Sequence, residues 1–266
     1  MPEGDSVAGH ASRLRPILLG RKITDVKGTA PAVRANSHRI LDATVEDIRT
    51  VGKNLVIDLS GGFSIRVHLG MSGRWRMIPP DRTIPGSARL ALSAGGSAAV
   101  CSAAPTIDVD RTPVIDYSLS RIGPDVLGDF ELDEFVRRAR TRRSVAVADV
   151  LLDQRVLAGI GNVYKSELLF LARIDPHTPI DEISDDRLRR VAKDAIRLMT
   201  ANVGPKPRTT TGSRARDRGM WVYGRARQPC RRCGTAVSME NQGGRVTYWC
   251  SKCQPSSPPG PVSGSM

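Results

Sequence analysis

Hydrophobic residues recur with two different spacings in the first half of the chain. Over residues 6–19 they lie three or four positions apart, which predicts an amphipathic helix that Pro16 would kink or end near its last turn. From there to about Asp116, apolar and polar residues alternate in short runs. Runs at 55–59 and 65–67 flank Gly61-Gly62, and weaker runs occupy 90–100 and 106–109. This alternation predicts a β-rich first domain of about 115 residues.

From about residue 127 to residue 201 the spacing becomes helical. Apolar positions predict helices around 132–139, at 145–155 and at 162–172. A fourth helix begins after Ser184, a good N-cap that Asp185 and Asp186 follow in the first turn. The second domain is therefore expected to be all-helical.

Charge narrows the class of partner. The 266 residues carry a formal net charge of +13, which points to a polyanion, nucleic acid before membrane. Residues 205–233 form a basic arm with nine Lys or Arg against one acid, although such a run by itself is usually a solvated face. No apolar run is long enough to span a membrane, and the N-terminus lacks a secretory signal. We expect no membrane partner and a cytoplasmic, nucleoid-associated protein.

Four of the five cysteines form two Cys-x-x-Cys pairs, and 16 residues separate these pairs. Two such knuckles complete a tetrahedral four-thiolate shell for zinc, with Gly243-Gly244 suited to a hairpin turn between them. A closed shell has no open position, so the zinc would be structural. Redox use of either pair is the alternative, and the fifth cysteine, Cys101, is expected to be a buried thiol. The predicted ligands are Cys230, Cys233, Cys250 and Cys253.

The chain opens Met1-Pro2-Glu3, which suggests a catalytic terminus. If Met1 is removed, the secondary amine of Pro2 can attack an electrophilic carbon, and the carboxyl group of Glu3 can move protons. With Met1 attached, the Pro2 nitrogen is an amide and cannot act in this way. Many chains begin Met-Pro for no chemical reason, so the terminus alone does not decide the matter.

Three further segments combine glycine with a residue that could contact a ligand. Gly52-Lys53 precedes a strand, although a lone lysine is usually solvated. Met71 is flanked by glycines, and could wedge into a base stack or be part of a turn packed on the core. In the segment 151–164, Asn162 follows a glycine-containing turn, where it could cap a helix or contact a phosphate.

Together these motifs, with residues 121–127, resemble the formamidopyrimidine-DNA glycosylase and endonuclease VIII family, over the chain from Pro2 to Gln254. The resemblance implies an α+β, multi-domain fold that binds DNA in a cleft. Its expected parts are an N-terminal catalytic β-sandwich with flanking helices (1–118), a helix–two-turn–helix DNA-binding domain (119–222), a zinc-ribbon β-hairpin (223–254) and a disordered tail (255–266).

The resemblance also implies roles for single residues. Pro2 would attack C1′ of an extruded, damaged nucleotide, and Glu3 would act as acid and base. Lys53 would support catalysis beside the lesion, and Arg245 would grip the adjacent phosphate and assist the second elimination. The residues expected to contact DNA are Met71, Arg121 and Asn162.

The implied activity is a bifunctional DNA glycosylase and AP lyase of base excision repair, acting as a monomer on damaged or abasic duplex DNA. The Pro-Glu-Gly-Asp terminus and the short segment 209–218 favour oxidised pyrimidines over oxidised guanine, although Gly70-Met71-Ser72 departs from the endonuclease VIII wedge. A catalytically silent DNA-binding paralogue and a zinc-ribbon RNA-binding protein are the alternatives. The dipole of the helix that Glu3 precedes is expected to favour its ionised form, and the positive surroundings should leave more of the Pro2 amine unprotonated.

Overall fold

Two four-stranded antiparallel sheets form the N-terminal half of the chain, in a computed structural model that describes residues 1–79, 82–213, 215 and 218–256. One sheet has the strand order β2-β3-β4-β8 and the other β1-β6-β7-β5. Their strands are β1 (Asp25–Lys27), β2 (Val45–Val51), β3 (Asn54–Leu59), β4 (Phe63–His68), β5 (Arg74–Ile78), β6 (Leu90–Ala94), β7 (Ser97–Ser102) and β8 (Thr106–Arg111).

The sandwich core lies between these sheets and the first helix, α1 (Gly4–Leu18). The predicted alternation is confirmed, because Leu55, Ile57 and Leu59 face this core with at most 1% exposure. Cys101 is buried in the same core, as expected. The run at 90–100 is two strands rather than one, because Gly95 and Gly96 have positive φ and reverse the chain. The prediction that this part of the chain consists mostly of strands missed three short helices: α2 (Pro31–Ala35), α3 (Ser37–Ile40) and α4 (Thr112–Leu119).

The second hydrophobic core is helical, as predicted. Helix α6 is shorter than predicted, because residues 153–161 form the turn that leads into α7. Ser184 occupies the N-cap of α8, but its side chain makes no capping hydrogen bond. The helices are α5 (Leu132–Arg140), α6 (Val147–Leu152), α7 (Asn162–Ala172), the 3-10 turn Ile180–Glu182, and α8 (Asp185–Asn202).

A two-stranded hairpin follows the helices. Strands β9 (Ser238–Gln242) and β10 (Arg245–Trp249) pair antiparallel around Gly243-Gly244, the predicted turn, whose positive φ angles suit glycine. The hairpin and the cysteines share a small core with Phe170 of α7 and Val222. The predicted disordered tail falls almost entirely on 257–266, which lie outside the described residues.

No helix in the described part of the chain has the length and apolar character needed to span a membrane.

Candidate active site

A cleft of about 540 Å³ collects five of the residues that the sequence singled out. The β-sandwich contributes His68 to its wall, and the turn before α7 contributes Gln154. The β9–β10 hairpin between the two cysteine pairs, called the finger hairpin below, also lines it. The five predicted residues in its lining are Pro2, Lys53, Met71, Asn162 and Arg245. Residues that lie up to 243 positions apart in the chain are thus brought to one concave surface.

Glu3 lies directly behind this cleft, at the start of α7. Its carboxylate accepts hydrogen bonds from three backbone N–H groups, those of Gly161 (2.9 Å), Val163 (2.8 Å) and Tyr164 (3.3 Å). Only glycine fits at position 161, because a Cβ there would lie 2.4 Å from Cδ of Glu3. Glu3 is also the N-cap residue of α1, but its side chain makes no cap bond to that helix. The helix that binds its carboxylate is therefore α7.

The protonation of Glu3 departs from the sequence expectation. Burial raises the pKa of this fully buried carboxyl group above its ordinary value of 4.5, against the opposing charges of Arg208 and Lys53. The hydrogen bond from Val163 also opposes the rise. Desolvation thus shifts the pKa of Glu3 in the direction opposite to the one expected from the helix dipole. A carboxyl group with a raised pKa is suited to giving and taking protons.

An ion pair that sequence reasoning missed anchors the terminus. Arg208 donates to both carboxylate oxygens of Asp5, at 2.7 and 2.6 Å, and its guanidinium lies 3.9 Å from Glu3. The hydroxyl of Tyr164 donates to the same Asp5 carboxylate at 2.9 Å. The only signal for Arg208 in the sequence was its membership of the basic arm. Its position fixes the first turn of α1, and with it Pro2 and Glu3.

Lys53 is held in place through its backbone. Gly52 and Lys53 form the turn between β2 and β3, and Gly52 has a φ of 58°. The N–H of Gly52 donates to Asp125 Oδ2 at 2.7 Å, so the segment 121–127 clamps this turn. Burial lowers the pKa of Lys53, and the charges of Arg245 and Arg208 lower it further, whereas Glu3 opposes the shift. Asp125 lies in the segment 121–127 that carries part of the family resemblance, but no local sequence pattern indicates its contact with Gly52.

Asn162 does not cap α7, so that alternative was wrong. Gly161 is the N-cap residue, and Asn162 is the first residue of the helix. Its amide Nδ2 donates to the carbonyl of Val246 in β10 at 2.6 Å, while its buried Oδ1 has no partner among the described residues. This contact joins the helical domain to the finger beside Arg245.

The remaining two predicted DNA contacts occupy different surfaces. Met71 is 66% exposed at the cleft, which excludes the alternative of a side chain packed in the core. Arg121 is exposed as well, but it does not line this cleft. It borders a separate basic depression of about 350 Å³ with Arg155 and three other arginines, Arg137, Arg138 and Arg142.

The four predicted cysteine ligands form a compact sulfur cluster. All four Sγ atoms lie within 4.8 Å of one another, with Cys230–Cys253 at 3.9 Å and Cys233–Cys250 at 3.5 Å. A tetrahedron with Zn–S bonds of about 2.3 Å has edges of about 3.8 Å, so the donor set fits zinc. Zinc is therefore a structural cofactor that joins the two knuckles. Gln254 binds the second knuckle to the helical domain, through Cys250 N–H and the carbonyl of Ile174.

Comparison with known proteins matches the three parts of this architecture. The formamidopyrimidine-DNA glycosylase N-terminal domain matches residues 1–103, and the helix–two-turn–helix domain of the same enzymes matches 122–213. The zinc finger found in these enzymes and in isoleucyl-tRNA synthetase matches 227–255.

Solved structures share the fold. The Fpg enzyme of Lactococcus lactis superposes with a TM-score of 0.83 at 24% identity. That structure is a complex with DNA that contains a benzylated formamidopyrimidine. The alignment covers 96% of this chain and 100% of that one. A complex of the Lactococcus enzyme with abasic-site DNA also gives a TM-score of 0.83, at 23% identity and with the same coverage.

Curated relatives are more similar in sequence. The "Probable endonuclease 8 2" of Streptomyces coelicolor is 38% identical over 98% of this chain and 96% of that protein. The "DNA-(apurinic or apyrimidinic site) lyase Nei2" of Mycolicibacterium smegmatis is 38% identical over 97% of this chain and 100% of its own. With its β-sandwich, helix–two-turn–helix domain and four-cysteine finger, this chain belongs to the formamidopyrimidine-DNA glycosylase and endonuclease VIII family of DNA-repair enzymes.

Proposed function

We propose that this protein removes oxidised bases, pyrimidines in preference to guanine, from duplex DNA and then cleaves the strand through a Schiff base on Pro2. A bifunctional glycosylase and AP lyase of base excision repair is the activity of its family. The observation that carries the proposal is the pairing of Pro2, in the cleft, with a buried Glu3 bound by the N-terminus of α7. In this proposal the nucleophile and the proton carrier are adjacent residues.

The chemistry follows from these two groups. Once Met1 is removed, the Pro2 nitrogen attacks C1′, the glycosidic bond breaks, and the base leaves with a proton. The C1′–O4′ bond of the sugar ring then breaks, O4′ takes up a proton, and C1′ and the Pro2 nitrogen form the iminium ion of the Schiff base. Loss of a C2′ proton then breaks the C3′–O bond, and loss of a C4′ proton breaks the C5′–O bond. Both strand ends thus carry phosphate, and water releases the sugar from Pro2. Glu3 serves these proton transfers, because burial raises its pKa above the ordinary value and so makes its protonated form more accessible.

Cations around the cleft support the binding of DNA. Lys53 and Arg245 line it from opposite domains, so each can hold a phosphate that flanks the lesion. Extruding a base costs a few kcal/mol, which such contacts offset. In this proposal Met71 occupies the emptied stack, and Asn162 supports the phosphate contact. Arg121 would bind phosphate at the separate basic depression.

The preference for pyrimidines rests on the terminus Pro-Glu-Gly-Asp and on relatives. Those named endonuclease 8 or Nei2 are 37–38% identical, whereas those named formamidopyrimidine-DNA glycosylase are 30–31% identical. Single-turnover excision from duplexes that contain thymine glycol or 8-oxoguanine tests this branch. Faster release of thymine glycol is expected, and faster release of 8-oxoguanine would overturn the preference.

Borohydride trapping tests the catalytic assignment. Incubation of the processed protein with an abasic-site duplex and borohydride should yield a covalent adduct, and blocking the terminal amine should abolish it. Arg197→Gln, at an exposed residue paired with Asp194, is a matched control that should trap normally. An undiminished adduct after blocking would exclude Pro2 as the nucleophile. Binding to abasic DNA without an adduct would identify a catalytically silent paralogue. Tighter binding to structured RNA than to abasic DNA would identify an RNA-binding protein.

The proposal also defines the setting of the reaction. A chromosomal DNA substrate would place the protein at the nucleoid, in the bacterial cytoplasm. One chain supplies every residue named above, so we propose that it acts as a monomer. Analytical ultracentrifugation of the protein on a duplex with a single lesion tests this, with one chain per duplex as the expected result.

A further inference from the structure

Helix α7 carries a buried lysine that neither the mechanism nor the zinc site uses. Every residue from Asn162 to Phe170 is buried, including three charged or hydroxyl side chains in the middle of the helix: Lys165, Ser166 and Glu167. Lys165 is 1% exposed. Buried lysines are rare because removing an ammonium group from water is costly. A lysine at this position therefore calls for a specific partner.

The partner of Lys165 is the strand that begins with Arg245. Its Nζ donates to the hydroxyl of Thr247 at 2.7 Å and lies 3.4 Å from the carbonyl of Val246. Thr247 is itself fully buried, so both ends of this contact are shielded from water. Asn162, one turn earlier, donates to the same Val246 carbonyl. The backbone next to Arg245 is thus held from two successive positions of one helix face.

The charge of Lys165 is not neutralised by a direct ion pair. Among the described residues, no carboxylate lies within 4.0 Å of its Nζ. Burial lowers the pKa of Lys165 to about 8, partly offset by the charges of Asp149 and Glu3. An apolar side chain of the same length would avoid this cost if only packing were required. The lysine is explained if its donors fix the hairpin.

We propose that Lys165 is a positioning residue for Arg245: it fixes β10 against α7 so that the Arg245 guanidinium faces the cleft. This inference rests on the proposed function of Arg245 in the second elimination. The first steps, attack by Pro2 and loss of the base, depend on Glu3 and α1 rather than on β10. Loss of the Lys165 contact therefore affects the C5′–O cleavage more than adduct formation.

Lys165→Met tests the proposal on the zinc-loaded, processed protein. The end of an abasic-site strand is an unsaturated aldehyde if the reaction stops after the first elimination, and a phosphate if the second follows. The variant should raise the ratio of aldehyde to phosphate ends about tenfold, because small misplacements of a positioned group have effects of this size. At protein concentrations that saturate the duplex, borohydride trapping should stay close to that of the unmodified protein, and so should the zinc content.

A second variant approaches the contact from the other side. Thr247→Val removes the acceptor hydroxyl with little change of shape, and should shift the same ratio in the same direction. The double variant should shift the ratio no further than Lys165→Met alone, because the two substitutions remove the same contact. Leu171→Ala, on α7 but half-buried against the helical core, is the control that should lower stability without moving the ratio.

Two results would overturn the assignment. One is an unchanged ratio in both variants. The other is a parallel loss of trapping, cleavage and thermal stability that matches Leu171→Ala, which would make Lys165 merely structural. Failure of the proposed function itself would be recognised separately, since the unmodified protein would then give no trapped adduct.

Discussion

Single residues in this protein take their chemistry from partners that are distant in sequence. Glu3 would be an ordinary exposed carboxylate near a chain terminus if the first residues were free. In the folded protein it is fully buried, it accepts three backbone hydrogen bonds from α7, and Arg208 lies 3.9 Å away. Hydrogen bonds to a charged group contribute about 1.5–3 kcal/mol each, yet burial still raises the pKa of Glu3.

The balance at Glu3 predicts a pH dependence. The charge of Arg208 lowers the Glu3 pKa, so Arg208→Met should raise that pKa further. In the proposed mechanism the acid limb of base excision reports ionisation of Glu3, and it should then move to higher pH. Single-turnover excision measured across a pH series checks this, with Arg189→Gln at an exposed ion pair as the control. An acid limb that does not move would show that the limb belongs to another group.

The same shift has a consequence for stability. The folded protein binds a proton at Glu3 more tightly than the unfolded chain does, because its folded pKa is raised. The contribution of Glu3 to the free energy of unfolding is therefore fully present below the ordinary value of 4.5 and is lost as the pH rises through the folded pKa.

At the level of secondary structure, α7 is the element that connects the parts of the site. Its N-terminus binds Glu3, and its side chains hold the hairpin. Glu167 accepts hydrogen bonds from the backbone of Trp221, Val222 and Tyr223, where the basic arm enters the finger. Phe170 belongs to the finger core and stacks on Trp221 with ring centres 5.5 Å apart. The finger is thus docked on one helix rather than tethered by a free linker.

Zinc removal should uncouple the finger from that helix. The finger core is small, and structural zinc sites contribute about 10–16 kcal/mol of binding energy to folding. We expect chelation to weaken binding to an abasic-site duplex by about tenfold or more, because Arg245 is released, while the helical signal in circular dichroism is largely kept. Restoration by zinc, and not by magnesium, is the control. Equal affinity of the metal-free and zinc-loaded protein would contradict this role.

At the scale of the whole molecule, the charge of +13 is distributed over more than the cleft. Arg121 and Arg155 border the separate basic depression, and among the described residues neither guanidinium has an ion-pair partner. By contrast, Arg138 and Arg142 there are paired with Glu134 and Asp153. Unpaired cations are the ones that can release counterions from DNA phosphates.

The two unpaired arginines predict a salt dependence. Log K falls as log salt rises, and each phosphate contact contributes about −0.9 to this slope. Replacing both Arg121 and Arg155 with Gln should therefore make the slope less negative by about 1.8. The effect should appear on a long lesion-containing duplex and vanish on a short one that ends beside the lesion. Fluorescence anisotropy over a salt series measures both slopes. An unchanged slope on the long duplex would exclude this depression from the DNA contact.

The sequence alone determined the features whose cause is local. Strand alternation at 55–59, the helices at 132–140 and 162–172, the Gly243-Gly244 turn and the four-cysteine spacing were all predictable, because periodicity, turn chemistry and ligand spacing act over a few residues. The hypothesis of a nucleophile and a proton carrier at Pro2 and Glu3 also comes from the sequence alone, and it stays a prediction. The sequence did not predict the short helices α2, α3 and α4, because their few residues show no clear hydrophobic period.

Only the tertiary structure decided how these parts act on one another. In the folded protein the Glu3 carboxylate is bound by the N-terminus of α7 and not by α1, the helix that Glu3 precedes. Burial then reverses the expected direction of the Glu3 pKa shift. The N-cap residue of α7 is Gly161, and the Asn162 amide donates to the backbone of the finger hairpin. Burial and through-space charge depend on residues that are far apart in the chain, such as Arg208 for Glu3 and Val246 for Asn162, so no local pattern encodes them.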